Sequence, residues 1–316
     1  MKLNIASLDL SKFGYVIAKA NICDKHDRST PSHYHWKILK CRMLIFSSSS
    51  ILASPDTEDL QQVHIVFSKS GDNFDKLISL FLQFSLIQDG GIRTTTPEIF
   101  QICFRYTMNA RIAPLWNTLG ENYLINNRDF LITKGPQDGV SYNVLVNDKN
   151  ILSMEIKAVK INLLNTETFM PGQWIRVLPS LNKAMIEEHY ETLPQISKFR
   201  CYKDLRRHWK NIHGYRLPEG EGFYYSIQFW RGEPLLYPRI CVIRNFPIIT
   251  PTPQSLEKVI VQNFLNCLNL KMSNFLGAAI TLQNVEDGND NDLDSNKHYS
   301  PDTQAVSLCT PTQSTK

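Results

Sequence analysis

The chain has 316 residues, 42% of them hydrophobic and 20% charged, with 14 glycines, 16 prolines and 7 cysteines; these values exclude a collagen-like, disulfide-dense or wholly disordered chain. Its formal charge of +4, spread over the whole length, is too mild to point to a nucleic-acid partner. A chain of this size buries a core as one large domain or two ordinary ones, without metals or disulfides.

Residues 2–7 and 15–22 read as strands separated by the polar break Asp9–Lys12. Asn4, Ser7 and Asp9 interrupt the apolar stretch that a signal peptide needs. A helix is expected over 34–46, with Trp36, Leu39, Met43 and Phe46 on its inner face. Residues 24–33 read as a loop, 63–67 as a short strand, and 72–86 as a helix carrying Phe74, Leu77, Ile78, Phe81 and Leu82, capped at Ser70 or Asp72. The run 77–87 contains Ser79, Gln83 and Ser85 and is too short to span a bilayer, so no membrane partner is expected.

Thr96-Pro97 opens the next helix, with a threonine cap and proline at the first helical position. Ile99, Phe100, Cys103 and Phe104 face inward, and the helix ends before Pro114. Residues 140–146 and 151–161 flank the turn Asn147–Asn150 as a hairpin. A short helix is expected over 181–192, ending at Pro194, and a helix over 202–213 stopped by Gly214 and Pro218. The aromatic strand 223–230 pairs with 235–243 and reads as central in its sheet rather than an edge. After the rigid stretch 247–253 a last helix, 255–270, buries Leu256, Val259, Ile260, Phe264, Cys267 and Leu268.

This order implies an α+β fold in which antiparallel hairpins pack with amphipathic helices. The weakly patterned stretch 162–173 suggests two subdomains, 1–165 and 174–280, within one unit. Residues 285–316 hold six acids, Glu286, Asp287, Asp290, Asp292, Asp294 and Asp302, but neither Phe nor Trp, and read as a disordered acidic tail. The first 284 residues therefore carry 32 Lys and Arg against 24 Asp and Glu, a formal +8.

No phosphate-binding glycine loop, nucleophile elbow or zinc-protease helix occurs, so no catalytic residue and no cofactor is assigned. Glu187, Glu188 and His189 read as a solvated helix face rather than an acid–base pair. Cys23, His26, His33 and His35 are acceptable zinc ligands, but C-x2-H-x6-H-x-H is not a structural-zinc spacing and histidines also collect in polar loops. The seven cysteines are scattered and never form C-x-x-C, which suits reduced thiols in the cytoplasm or nucleus.

The segment 198–216 has the strongest local character. Tyr202, Leu205, Trp209 and Ile212 share one helix face, and Lys203, Arg206, Arg207 and Lys210 the other. That basic face suits phosphate backbones, or it is the solvated side of an ordinary amphipathic helix. Trp116, Trp209, Gly214 and Pro218 read as structural anchors.

Several segments in fixed order, Cys41-Arg42, Ile51–Pro55, Met108–Trp116 (MNARIAPLW), Arg128–Leu131, Val177–Ser180, Asp204–Pro218 (DLRRHWKNIHGYRLP) and Tyr237-Pro238, span most of residues 1–270. In this combination the chain resembles an uncharacterised animal family of the chromosome 18 open reading frame 63 type, which carries a domain of unknown function. The resemblance implies residues 1–280 as one unit of architecture and transfers no activity, cofactor or catalytic residue. The leading expectation is a non-enzymatic scaffold or adaptor acting through protein contacts. The alternatives are phosphate-backbone binding by the helix 202–213, and an enzyme whose site is assembled from dispersed residues. A deep cavity with convergent polar groups is the observation that favours the last over the first.

Overall fold

A computed structural model describes residues 1–20, 33–57, 59, 61–165, 167–195, 197–230, 233–280 and 282–284. The elements begin with β1 (Lys2–Ser7), β2 (Phe13–Ala20), α1 (His33–Ser47), β3 (Ile51–Pro55), β4 (Gln62–Ser68), α2 (Asn73–Gln83), β5 (Leu86–Thr94) and α3 (Pro97–Ile112). They continue with β6 (Asn117–Leu119), β7 (Tyr123–Ile125), β8 (Gln137–Val146), β9 (Ile151–Asn162), β10 (Trp174–Val177), β11 (Asn182–Tyr190) and α4 (Tyr202–His213). The last are β12 (Tyr224–Gln228), β13 (Leu235–Pro238), β14 (Val242–Ile243), β15 (Ile248–Pro251), α5 (Gln254–Met272), β16 (Asn274–Phe275), β17 (Ala278–Ala279) and β18 (Gln283–Asn284).

The fold is α+β and its sheets are antiparallel. The expected hairpin β8–β9 forms the axis of the largest sheet, ordered β18-β1-β9-β8-β7-β6. Asn147 shapes its turn by accepting from the amides of Lys149 and Ile151 at 3.0 and 2.9 Å. The far edge of β9 is shared: β1 pairs with its first half and β15 with its second. A second sheet runs β3-β4-β2-β5 and a third β13-β12-β11-β10-β14, while β16 and β17 form a separate pair. β12 is central, as its aromatic pattern implies, with Tyr224, Tyr225 and Ile227 buried. Residues Met1–Val285 form one compact unit with three apolar clusters. One lies between the largest sheet, α3 and α5, one between the third sheet and α4, and one between the second sheet, α1 and α2.

Local signals explain the helix ends. Thr96 Oγ1 accepts from the Ile99 amide at 3.3 Å above Pro97, so α3 starts where a cap and a prepaid φ coincide. α4 ends on Gly214 at φ +76°, and the Gly214 amide closes the last turn on the Lys210 carbonyl at 3.0 Å.

Other expectations need correction. Residues 181–192 hold a strand, β11, rather than a helix: Ala184 and Ile186 alternate into the core, and β10 and β12 supply backbone partners on both sides. The Ala, Met, Glu and Lys of this segment favour a helix in isolation, but tertiary pairing prevails. β5 and β15 lie where the sequence pattern signals no strand. The buried face of α1 is Ile38, Cys41, Leu44 and Ile45; of the expected residues Trp36 and Met43 pack partly buried against the same cluster, Leu39 is only half-buried and Phe46 is exposed. Leu82, Leu256 and Val259 are exposed as well, α5 burying Val261, Leu265 and Met272 instead.

Candidate functional site

Helices α1, α3 and α4, strands β3, β4 and β6 and two loops border one cavity of about 360 Å³. α1 contributes Ile38 and Arg42; the end of β3, Ser54 and Pro55; β4, His64. Arg105, Tyr106 and Asn109 come from one side of α3, and Ile212 and His213 from the last turn of α4. β6 adds Thr118, the turn after it Glu121, and the loop between β10 and β11 Pro179 and Ser180. Most segments that carry the sequence resemblance thus meet here, although they lie far apart along the chain.

Specific bonds fix this frame. Thr107 of α3 accepts from the Ala53 amide at 2.9 Å and donates to its carbonyl at 3.3 Å, satisfying the open edge of β3. Arg111 donates to the carbonyls of Ile45 and Ser48, at 3.1 and 3.0 Å, tying the end of α1 to α3. The Gly120 amide donates to the Pro179 carbonyl at 2.7 Å, and the Tyr215 hydroxyl donates to the Thr118 carbonyl. Trp116, buried edge-on against Phe264, anchors the chain between α3 and β6.

The electrostatics are uneven. Arg42 and Arg105 both line the cavity, and among the described residues neither has a carboxylate partner. Arg42 is largely enclosed, its guanidinium 5.4 Å from the Phe46 ring centroid, and burial pulls its pKa below the ordinary arginine value. Glu121 is exposed on the rim. A cation removed from water without a counter-ion is costly, so the cavity is poised for an anion.

His64 is held between two partners. Its Nε2 lies 2.8 Å from Asp56 Oδ2, and its Nδ1 2.7 Å from the Tyr15 hydroxyl. Burial lowers the His64 pKa and Asp56 opposes the shift. The neutral ring satisfies both bonds by donating from Nε2 to Asp56 and accepting at Nδ1 from Tyr15. Asp56 also accepts from the Asp59 amide at 2.9 Å, and Lys37 Nζ donates to the carbonyls of Asp56 and Asp59, so this wall of the cavity is braced.

The residues singled out from sequence are distributed differently. Lys203, Arg207 and Lys210 are exposed on α4, outside the cavity; Arg207 lies 3.9 Å from Asp204 and the partly buried Arg206 3.9 Å from Glu219. The opposite face packs as an amphipathic helix does, Trp209 standing edge-on to Tyr237 at 5.3 Å. The Pro218 carbonyl accepts from the Tyr202 hydroxyl at 2.9 Å. Glu187 accepts from Ser226 at 2.8 Å on the exposed side of β11, and Glu188 from Tyr190. Cys23 and His26 lie outside the described residues, as do residues 24–32 of the expected loop and the expected tail 285–316; His33 and His35 fall on α1 with only their backbone described. Among the described residues no three His, Cys, Asp or Glu side chains gather as metal ligands, and Cys41, Cys103, Cys201, Cys241 and Cys267 are free. Among those residues no helix is long and apolar enough to cross a membrane.

The sequence model of a family described as a domain of unknown function (DUF4708) matches residues 8–172 and 162–251. A crystal structure of A. aeolicus Argonaute is similar at 10% identity and a TM-score of 0.30, over 89% of this chain and 43% of that one. This chain spans less than half the length of that protein.

Proposed function

The chain belongs to the family of the domain of unknown function DUF4708, a membership that assigns no activity, and we propose from its own geometry that it is a non-enzymatic binding module of adaptor type whose cleft accepts an anionic group. The observation that carries this reading is the pair Arg42 and Arg105, brought from α1 and α3 to one cavity where, among the described residues, no carboxylate pairs with either. Within the family, the order of the segments from Cys41-Arg42 to Tyr237-Pro238 favours the chromosome 18 open reading frame 63 type. Free cysteines favour a reducing compartment, the cytoplasm or nucleus.

The polar cavity is the feature that an enzyme with a dispersed site would also show. The non-catalytic reading is preferred because the bonded chain Asp56–His64–Tyr15 on its wall ends on a buried phenol whose pKa burial raises, so it presents no activated nucleophile. The test is titration of the full chain with sulfate, comparing wild type with Arg42→Gln and Arg105→Gln. Wild type binds and each variant binds about tenfold or more weakly, as expected when one member of a charge-assisted pair is lost. Equal binding by all three overturns the reading.

A second reading rests on the exposure of Lys203, Arg207 and Lys210 along α4. Phosphate-backbone binding there predicts an affinity that falls steeply with salt and is lost in Lys203→Glu/Arg207→Glu/Lys210→Glu. The acids beside it, Asp204 and Glu219, make this face the weaker candidate.

A further inference from the structure

We infer that the anion taken by the Arg42–Arg105 cleft is a phosphomonoester, bound as its dianion; this rests on the anion-binding reading above and adds the ligand's chemistry. Among the described residues neither guanidinium has a carboxylate partner, so a monoanion leaves one of them uncompensated. A phosphomonoester carries about −1.5 to −2 at pH 7 and offers three acceptor oxygens, which matches two planar donors arriving from different helices. Thr118 of β6 also borders the cavity.

The rest of the cavity has the character of a site for an organic ester rather than for free phosphate alone. Its volume, about 360 Å³, falls at the lower end of small-ligand pockets, about 300–1,000 Å³. Ile38 and Ile212 give it an apolar wall, suited to a carbon body. Glu121, exposed at the rim, favours a hydroxyl or amide donor on that body and disfavours a second anion. A small sugar or polyol phosphate and a phosphorylated side chain share this chemistry.

Among the described residues the titratable and charged groups lining the cavity are Arg42 on α1, His64 on β4, Arg105 and Tyr106 on α3, Glu121 in the β6–β7 turn and His213 on α4. The histidines can only gain positive charge as pH falls, which strengthens anion binding. A phosphomonoester instead loses its second charge below a pKa of about 6. The two trends oppose each other, and sulfate, a dianion throughout, reports the protein's share.

The experiment is calorimetric titration of the full chain at pH 7.5 and 5.5 with sulfate, acetate, glucose 6-phosphate, and a phosphoserine peptide with its unphosphorylated twin. At pH 7.5 a phosphomonoester is expected to bind about tenfold or more tightly than acetate, and to weaken by about fourfold relative to sulfate at pH 5.5. Preference for glucose 6-phosphate assigns a free small ligand, and preference for the phosphopeptide a phosphorylated side chain; either supports the inference. If acetate binds as tightly as the phosphomonoesters while Arg42→Gln and Arg105→Gln still abolish binding, the anion-binding reading survives and the phosphomonoester assignment falls. If no anion binds, both fall. The comparison among ligands is made on wild-type protein and does not depend on how the variants fold.

Discussion

The Arg42 guanidinium lies against Gly214: a Cβ placed on that glycine would sit 3.5 Å from one of the guanidinium's terminal nitrogens and 2.8 Å from Ala113 Cβ. Gly214 is therefore required twice, once for its φ of +76° at the end of α4 and once for the close approach of α1 and the 113–114 turn. The left-handed backbone alone costs an alanine about 1–2 kcal/mol, and the contact with Ala113 adds to it. Gly214→Ala is expected to lower the urea midpoint and to weaken anion binding by displacing Arg42. A variant as stable as wild type would show that neither constraint holds.

Arg42 predicts a conflict between stability and binding. An enclosed cation without a carboxylate partner costs folding free energy that a polar neutral side chain does not. Arg42→Gln, which also gives up the contact with the Phe46 ring, is expected to raise the stability of the ligand-free chain by about 1 kcal/mol. It should also lose the stabilisation that sulfate confers on wild type. Denaturation with and without sulfate separates the effects. A marked fall in ligand-free stability would mean that Arg42 serves packing rather than binding.

Thr107 bridges α3 and β3 with one hydroxyl that serves both polar groups of Ala53. Thr107→Val keeps the shape and leaves a buried amide and carbonyl unpaired, at about 1–3 kcal/mol. Because Ser54 and Pro55 follow directly into the cavity wall, hydrogen exchange at the β3 amides should quicken first. Protection unchanged at Ala53 and its neighbours would remove Thr107 from the frame of the site.

These dependencies explain what the sequence made legible. α3 and α4 have their signals inside the element, Thr96-Pro97 at one start and Gly214 at one end, and the structure reproduces them. β3 has only Ile51–Ala53 as its apolar pattern, and the side chain that satisfies its edge is 54 residues away. On α1, Lys37 is only 3% exposed because its ammonium reaches back to two backbone carbonyls, so a charged residue hides the true inner face. The cleft had no periodic signature, since Arg42, Arg105 and His213 belong to three different helices. Its trace in the sequence was indirect: Arg42, Ser54, Asn109, Pro179 and His213 all fall in the segments that carry the family resemblance. The basic face of α4 was conspicuous because charge clusters within one helix are local, whereas the arginines of the cavity are single residues in apolar surroundings.

Acid should destabilise the fold in a defined window. Burial, with Lys198 adding to it, pushes the His208 imidazole down from 6.5 to about 4, and burial lowers His64 as well. Between those values the unfolded chain binds a proton at His208 that the folded chain refuses, so stability rises with pH there. The contribution is fully present above pH 6.5 and is lost as pH falls through about 4; the displacement is equivalent to at most about 3 kcal/mol. Asp9, Asp72 and Glu98, whose carboxyls hydrogen bonds hold low, lose their contributions further down. Urea midpoints at pH 7 and 4.5 should therefore differ in wild type, and the difference should shrink in His208→Gln, which keeps a polar side chain of similar reach but cannot take up a proton. An equal drop in both proteins would assign the acid sensitivity to other groups and place His208 in contact with water when folded.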